Sequence, residues 1–218
     1  MPKTITPTPR TKVKRAPNRA EYDLDTIYAI LDAGLLCHVG YVIDGQPFVT
    51  PTCYWREGNR VYWRGSAASR MIRAQETGIP VCFTVSHLDG LVLARSGFHH
   101  SVNYRSVMLL GEAHAIDDDQ EMMRALEVFM ERLTPGRWPE LRPANKQEIK
   151  GATALWMEIN EVSAKVRADG AIDDEEDYDW DVWAGVVPIT TTIGEPEDDA
   201  RLKPGIVRPD YLSKFQVG

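Results

Sequence analysis

Three strand-like runs follow one another near the start of the chain with only tight turns between them. Residues 35–43 and 48–55 are rich in β-branched and aromatic side chains, and Asp44-Gly45 between them is a strong hairpin signal. A second turn at residues 57–59 leads to a third run at residues 60–64. Because successive parallel strands need a long connection between them, this order predicts an antiparallel meander and disfavours a doubly wound parallel sheet.

Further strand-like runs and amphipathic segments alternate along the rest of the chain. Leu88-Asp89-Gly90 is predicted as a turn between two strands, and residues 96–103 as a loop. We expect a mainly β fold, a six-stranded antiparallel barrel that is closed or partly closed, with inserted helices. The expected helices lie between residues 23 and 34, at 66–75, from 117–119 to 133 and at 146–149, and the expected later strands at 80–87, 91–94, 105–116 and 152–166.

Length and composition indicate one barrel domain with two tails. A chain of 218 residues, 43% of them hydrophobic, is long enough to bury one core. Residues 1–20 carry basic but no acidic side chains and predict a disordered, solvated arm. Residues 21–168 form the expected barrel. Residues 169–218 begin with an acidic run, expected to be a solvated linker, and continue as a tail that docks on the barrel or on a partner subunit.

Charge and hydropathy exclude several classes of function. The net charge of −7 argues against nucleic acid as a partner, because phosphate backbones are bound by an excess of Lys and Arg. The apolar runs are too short for a membrane span or a secretory signal, so we expect a cytoplasmic protein. Cys37, Cys53 and Cys82 lie in apolar contexts without metal-ligand spacing, which predicts buried free thiols and no zinc site.

A strand that ends in small and basic residues is the first candidate binding segment. The predicted strand stops near Gly65, and the predicted helix starts within the small residues 66–69. Helix-start N–H groups, hydroxyls and guanidinium groups together predict a phosphate cradle. The alternative is an ordinary helix cap with solvated arginines. The candidate ligand-binding residues here are Trp63, Arg64, Ser66, Ser69 and Arg70.

The strand before it supplies a second candidate segment. Pro51 has no N–H for a sheet ladder, so it indicates an edge, a bulge or a place where something other than a strand approaches. Thr50 and Thr52 point to the same side of the strand and can hydrogen-bond a polar heterocycle. An edge strand with surface threonines fits the same pattern.

A third candidate segment runs from residue 98 to residue 113. Its first half is dense in side chains that can bind or protonate a ligand, namely His99, His100, Asn103, Tyr104, Arg105 and Ser106. Adjacent residues of an extended chain point in opposite directions, so both histidines cannot easily face one metal ion. Metal binding is therefore the weaker interpretation.

Together, the three segments resemble the pyridoxamine-phosphate-oxidase-like superfamily of FMN-binding split barrels, and the branch with the nitroimidazole-resistance reductases above all. The likeness runs from about residue 22 to residue 166. It rests on Thr50-Pro51-Thr52, on Ser69-Arg70, and on the strand from Arg105-Ser106-Val107 to Gly111. The resemblance implies FMN as cofactor and a homodimer with two flavins in clefts between the subunits.

The resemblance also implies a role for each candidate residue. Arg64, Ser66, Ser69 and Arg70, next to Trp63, would bind the phosphate, and Thr50, Pro51 and Thr52 would lie at the ring edge. Asn103, Arg105 and Ser106 would complete the site. His100 and Tyr104 would orient a substrate or donate a proton.

Two departures from the family pattern affect the expected substrate but not the expected cofactor. True pyridoxamine-phosphate oxidases have Lys where this chain has Met71, and Gln where it has Ser106. We therefore expect an FMN-dependent oxidoreductase acting on an unidentified small molecule, and not a vitamin B6 oxidase. Three alternatives stay open: a flavin carrier or sensor without turnover, a haem-binding relative that uses His99 or His100, and a protein that binds deazaflavin.

Overall fold

The hairpin at Asp44-Gly45 organises the front of the molecule, as predicted. It joins β2 (Leu36–Ile43) to β3 (Gln46–Glu57), which pair antiparallel from Leu36 and Cys53 to Ile43 and Gln46. Asp44 and Gly45 have φ values of 50° and 77°, the left-handed geometry of a type I′ turn. In this computed structural model, which describes residues 3–215, β4 (Arg60–Ser66) then completes the three-stranded meander.

Within residues 3–215 ten antiparallel strands form one curled sheet, which confirms the mainly β split barrel but corrects the expected count of six. Nine strands follow one another in the order β1-β9-β6-β5-β2-β3-β4-β8-β7, and β10 pairs with β5. The remaining strands are β1 (Ala20–Glu21), β5 (Pro80–Leu93), β6 (Ser101–Glu112), β7 (His114–Ala115), β8 (Ala152–Glu158), β9 (Glu161–Arg167) and β10 (Gly185–Pro188).

Two differences from the expected strands have a common cause in sheet pairing. The segment Leu88-Asp89-Gly90 is a bulge inside β5 and not a turn, because β6 pairs with β5 on both sides of it. Pairing with β5 also starts β6 at Ser101, so part of the expected loop at residues 96–103 is strand. In contrast, the single strand expected at residues 152–166 is split into β8 and β9.

In the part of the chain that the structure describes, four α-helices flank the sheet, close to the expected positions. They are α1 (Leu24–Ala33), α2 (Arg70–Gln75), α3 (Asp119–Leu133) and α4 (Lys146–Lys150). Asp23 caps α1 by accepting a 2.9 Å hydrogen bond from the Thr26 N–H. The α2 helix starts four residues later than predicted, because Ser66 to Ser69 form a turn first. Within residues 3–215 no helix is long and apolar enough to cross a membrane.

The core has two parts. The barrel interior holds the fully buried Trp63, Phe83 and Leu109, together with residues of α1 and α2. A second cluster lies between α3 and the sheet, where the Trp55 ring lies 5.2 Å from the Phe129 ring, measured between centroids. These two clusters position the end of β4 between the barrel and α3.

Both chain ends lie against the barrel where the structure describes them. Arg10 and Thr8 bind Glu161, and β1 pairs with β9, whereas composition indicated a disordered arm at residues 1–20. In the C-terminal tail β10 pairs with β5, and the Tyr211 hydroxyl donates to Glu140. Residues 1–2 and 216–218, the extremities of the predicted arm and tail, lie outside the described residues.

Candidate cofactor site

The end of β4 opens on a surface cleft of about 430 Å³. Its lining brings together three of the predicted binding residues, Thr52, Arg64 and Ser66, although they lie on two different strands. The sequence analysis did not predict the rest of the lining. Phe129, for example, is a buried side chain of α3, and its helical periodicity indicates core packing only. The other lining residues are Cys53, Gly65, Phe129, Gly151 and Ala152.

Two arginines on either side of this turn have no carboxylate partner. The Arg64 guanidinium lies 5.0 Å from the centroid of the Phe129 ring, and the Arg70 guanidinium lies 4.1 Å from that of Phe48. Neither arginine takes part in an ion pair within the described residues. Arginines stacked on rings with unneutralised charge are suited to binding an anionic oxygen group.

The turn between β4 and α2 is held tightly against the helix. A Cβ atom added to Gly65 would lie 2.9 Å from Cγ1 of Ile72, so only glycine fits without a shift. The Ser69 N–H donates to the Ser66 carbonyl at 2.8 Å, and the Ala68 N–H donates to Ser66 Oγ at 3.3 Å. The Ser69 side chain makes no capping hydrogen bond with α2. Its hydroxyl therefore stays available at the turn.

The structure places Trp63 in the core and not in the cleft. Its side chain is fully buried, and its Nε1–H donates a 2.9 Å hydrogen bond to Oε1 of Gln75 in α2. The period-2 alternation of a strand explains this, since Arg64 and Trp63 point to opposite faces of β4. Trp63 was predicted as a binding residue, but it lies behind the turn, where it joins β4 to α2.

The predicted threonines already have partners inside the chain. Thr52 Oγ1 donates to the Arg64 carbonyl at 3.2 Å, and Thr50 Oγ1 lies 3.1 Å from the Tyr41 hydroxyl. Pro51 between them is exposed, and β3 pairs with β4 only from Tyr54 onward. Residues 46–53 therefore have one open edge, which fits the edge position indicated by the proline.

The third predicted segment lies elsewhere on the sheet. Three strands, β5, β2 and β3, separate β6 from β4. Asn103 accepts a hydrogen bond from Arg167, and Arg105 forms a two-point ion pair with Asp89 at 2.9 and 3.0 Å. Tyr104 and Ser106 are half-buried. None of the residues 98–113 lines the cleft beside Ser66, so one chain does not bring all predicted residues together.

The loop that carries His99 and His100 is held in place by hydrogen bonds to the buried carboxylate of Asp173. Asp173 accepts hydrogen bonds from the Arg95 N–H at 2.9 Å, the Arg95 guanidinium at 3.1 Å and the Ser96 N–H at 3.3 Å. Burial alone would raise the pKa of Asp173, but these hydrogen bonds together outweigh it and the pKa is lowered. The acidic run is therefore not only a solvated linker.

The two histidines have different partners. His99 Nε2 lies 3.3 Å from Asp174 Oδ2, and the possible ligand atoms of His99, Asp174 and Asp177 all lie within 4.8 Å of one another. His100 Nδ1 lies 3.0 Å from the Ser96 carbonyl oxygen. Since a carbonyl only accepts, His100 Nδ1 carries the proton and donates it.

The three cysteines are free, and two of them are less buried than predicted. Cys37 is buried, its Sγ donates to the Thr52 carbonyl at 3.3 Å, and burial raises the pKa of its thiol. Cys82 is half-buried. Cys53 is exposed in the cleft, because Cys37 and Cys53 occupy opposite faces of the β2–β3 hairpin.

Comparisons with known proteins identify a matching family and similar structures. The family described as pyridoxamine 5'-phosphate oxidase matches residues 23–166. The flavocytochrome Anf3 of Azotobacter vinelandii is 47% identical, covers 98% of this chain and 100% of its own length, and superposes with a TM-score of 0.94. An FAD and haem binding protein of Mycobacterium smegmatis is 32% identical, covers 91% of this chain and 98% of its own, with a TM-score of 0.87.

A more distant structure agrees in fold alone. A candidate 5-nitroimidazole antibiotic resistance protein of Bacteroides thetaiotaomicron is 21% identical, covers 67% of this chain and 86% of its own, with a TM-score of 0.58. No curated protein sequence matches this chain. The match to residues 23–166 and the two more similar structures show that this chain belongs to the pyridoxamine 5'-phosphate oxidase-like family of split-barrel proteins.

Proposed function

We propose that this chain is a flavin-dependent oxidoreductase whose flavin phosphate lies at the turn from Arg64 to Arg70. The observation that carries the proposal is the pair of unneutralised arginines flanking a turn with two serine hydroxyls, beside a cleft of about 430 Å³. When bound, the flavin supplies hydride and single-electron transfer. The chain's own residues bind and orient it.

The residues of the turn and of the neighbouring strand β3 have roles that follow from their chemistry. Arg64 and Arg70 neutralise the phosphate, and the hydroxyls of Ser66 and Ser69 donate hydrogen bonds to it. The open edge of β3 at Pro51, next to Thr50 and Thr52, lies against the ring system. The exposed Cys53 is the thiol nearest to the flavin in this arrangement.

A second copy of the chain would complete the site. Asn103, Arg105 and Ser106 are separated from the cleft by three intervening strands, so within this proposal they come from the partner of a homodimer. The outer face of β2 and β3 supports such an interface, because it exposes Leu36, Val42 and Val49, the last of them 68% exposed. Tyr104 then lies at the interface and orients the substrate.

The two more similar relatives refine the choice of cofactors. One is a flavocytochrome and the other binds FAD and haem. We therefore favour FAD over FMN, together with a haem, as the cofactors of this chain. The sequence has no Cys-x-x-Cys-His motif, so the haem would be held without covalent attachment. The chain contains five histidines, and histidine is a common axial ligand of haem iron.

The experiment that tests this function starts with the absorption spectrum of the purified protein, as isolated and after reconstitution with FAD, FMN or haemin. We expect flavin bands and a haem Soret band, and release of FAD as identified by mass. If FMN or a deazaflavin is released instead, only the identity of the flavin in this proposal is wrong. A folded protein that takes up no flavin contradicts the proposal.

Turnover separates an enzyme from a carrier or sensor. The flavin-loaded protein is mixed with NADH or NADPH and a panel of electron acceptors, and oxidation of the nicotinamide is followed. Catalytic oxidation supports the oxidoreductase. Stoichiometric flavin reduction without turnover, or none at all, indicates a carrier or sensor.

A further inference from the structure

One histidine and two aspartates converge where the loop before β6 meets the acidic run. The possible ligand atoms of His99, Asp174 and Asp177 all lie within 4.8 Å of one another, and His99 Nε2 is 3.3 Å from Asp174 Oδ2. Within residues 3–215 no other three histidine, cysteine, aspartate or glutamate side chains converge this closely. The group offers one imidazole nitrogen and two carboxylates, a mixed donor set that is typical of divalent metal sites.

The two aspartates face the same side because one 3₁₀ turn separates them. The turn spans Glu175–Asp179, and the Asp177 N–H donates to the Asp174 carbonyl at 2.9 Å. Side chains three residues apart in a 3₁₀ helix lie one above the other. Asp174 precedes the turn and makes no capping hydrogen bond with its side chain, so its carboxylate stays available.

Contacts outside this group hold the two chain segments together. The buried Asp173 accepts hydrogen bonds from the N–H groups of Arg95 and Ser96 at 2.9 and 3.3 Å. The Arg95 guanidinium also lies 4.7 Å from the centroid of the Tyr178 ring. Asp173 and Tyr178 directly flank the segment that carries the two aspartates. The ligand side chains therefore belong to segments that are already joined at both ends, which lowers the entropy cost of binding.

Neither aspartate of the group is neutralised by a lysine or an arginine. Among the described residues Asp174 pairs only with His99, and Asp177 forms no ion pair. Residues 173–181 contain seven carboxylates, and Arg95 pairs with one of them, Asp173. Carboxylates held this close repel one another, and a divalent cation between them replaces the repulsion by attraction. The local charge therefore favours a bound cation.

We propose that His99, Asp174 and Asp177 bind one Zn²⁺ ion, His99 through Nε2. Zn²⁺ accepts histidine nitrogen and aspartate oxygen at about 2.0–2.2 Å, whereas Mg²⁺ and Ca²⁺ take oxygen ligands. Tetrahedral ligands at that bond length lie about 3.5 Å apart, so a small rotation of the exposed Asp174 and the half-buried Asp177 completes the geometry. Three protein ligands leave the fourth position to water.

The site uses one of the two adjacent histidines and needs neither flavin nor haem. His100 Nδ1 binds the Ser96 carbonyl at 3.0 Å, so the opposite directions of neighbouring side chains do not prevent this site. Asp174 lies 75 residues after His99, which is why sequence spacing does not indicate the group. The ion would join the loop before β6 to the acidic run and thereby hold the start of the C-terminal segment on the barrel.

The test is Zn²⁺ binding by the full-length protein after chelation and dialysis, measured by isothermal titration calorimetry. We expect wild type to bind one Zn²⁺ per chain, and its unfolding temperature to rise when Zn²⁺ is added. His99→Ala and Asp177→Asn should each bind Zn²⁺ more than about 100-fold more weakly, because even partners that only orient a metal ligand contribute about 10- to 100-fold. Circular dichroism of the metal-free variants checks that both are folded.

Two substitutions outside the group are the controls. Glu176→Gln removes an exposed carboxylate from the same turn, and His114→Ala removes an exposed histidine elsewhere, and both should bind Zn²⁺ as wild type does. If Glu176→Gln weakens binding as much as Asp177→Asn, the acidic run attracts cations diffusely and the site is overturned. Retention of Zn²⁺ by His99→Ala, or binding by wild type only in the millimolar range, also overturns it. Flavin and haem uptake are read separately by absorption, so failure of the proposed function leaves this result unaffected.

Discussion

The Trp63 indole donates a 2.9 Å hydrogen bond to Gln75 Oε1 in the barrel interior, where both side chains are fully buried. This bond joins β4 to α2 directly behind the turn that carries Ser66 and Ser69. Gln75 Nε2 is buried without a partner. The position of the turn between β4 and α2, where we propose that the flavin phosphate binds, therefore depends on a polar contact inside an otherwise apolar core.

Gln75→Leu should destabilise the fold by about 1–3 kcal/mol, because it leaves the Trp63 N–H buried and unpaired. The double variant Trp63→Phe/Gln75→Leu should recover part of this loss, since neither polar partner remains. Chemical denaturation of wild type, Trp63→Phe, Gln75→Leu and the double variant measures the coupling between the two side chains. Strictly additive effects of the two substitutions would show that the hydrogen bond contributes nothing.

Arg70→Ala should weaken FMN or FAD binding about 10- to 100-fold, as expected for a lost charge-assisted hydrogen bond of about 1.5–3 kcal/mol. Arg73→Ala is the charge-matched control, because this arginine lies on the same helix and its Nε–H donates to the Ala67 carbonyl at 3.3 Å. Fluorescence titration with riboflavin, which lacks the phosphate, should give equal affinities for all three proteins. A loss with riboflavin of the same size as with FMN would argue against the phosphate role.

Gly65→Ala should destabilise the protein by about 1–3 kcal/mol and lower flavin affinity, because its Cβ must displace Ile72 of α2. Gly194→Ala is the control, since nothing lies within 4 Å of a Cβ at that position. Thermal unfolding and flavin titration of both variants check this. Unchanged values in Gly65→Ala would mean that α2 moves freely with respect to β4.

Acid should release the loop that Asp173 holds. The pKa of this carboxyl is lowered in the folded state, so its contribution to stability is present above its unfolded pKa of about 3.9 and is lost as pH falls below that. The difference in free energy of unfolding between wild type and Asp173→Asn should thus be constant above about pH 5 and shrink below about pH 4. The exposed Asp179→Asn serves as control, and a difference independent of pH would contradict the assignment.

Val49→Asp should convert a dimer to a monomer, because it places a charge in the exposed apolar face of β2 and β3. Val207→Asp, at an exposed valine of the C-terminal segment, should leave the oligomeric state unchanged. Light scattering coupled to size-exclusion chromatography measures both. A wild-type protein that is monomeric with flavin bound would rule out the shared site.

The local pattern alone was sufficient for the meander and for most helix starts. Asp44-Gly45 predicted the hairpin, and a cap at Asp23 or Asp25 predicted the start of α1, because turn geometry and capping depend on residues close in sequence. The residue types from Arg64 to Arg70 predict an anion site from local composition as well, and this stays a prediction.

Pairing between distant segments decided the rest. Leu88-Asp89-Gly90 has the composition of a turn, yet continuous pairing with β6 makes it a bulge, and Arg105 binds its aspartate. Asp173 reads as one more acid in a solvated run, but contacts to residues almost eighty positions earlier bury it.

The sequence by itself therefore determined the class of fold and the chemical character of the candidate binding segments. The tertiary structure decided which of those segments share a cleft, since Arg64 and Ser66 meet Thr52 while Arg105 lies beyond three other strands. The physical reason is that turn and capping preferences act over a few residues. Strand order, burial and ion pairing are set by contacts between residues far apart in the chain, which no local pattern encodes.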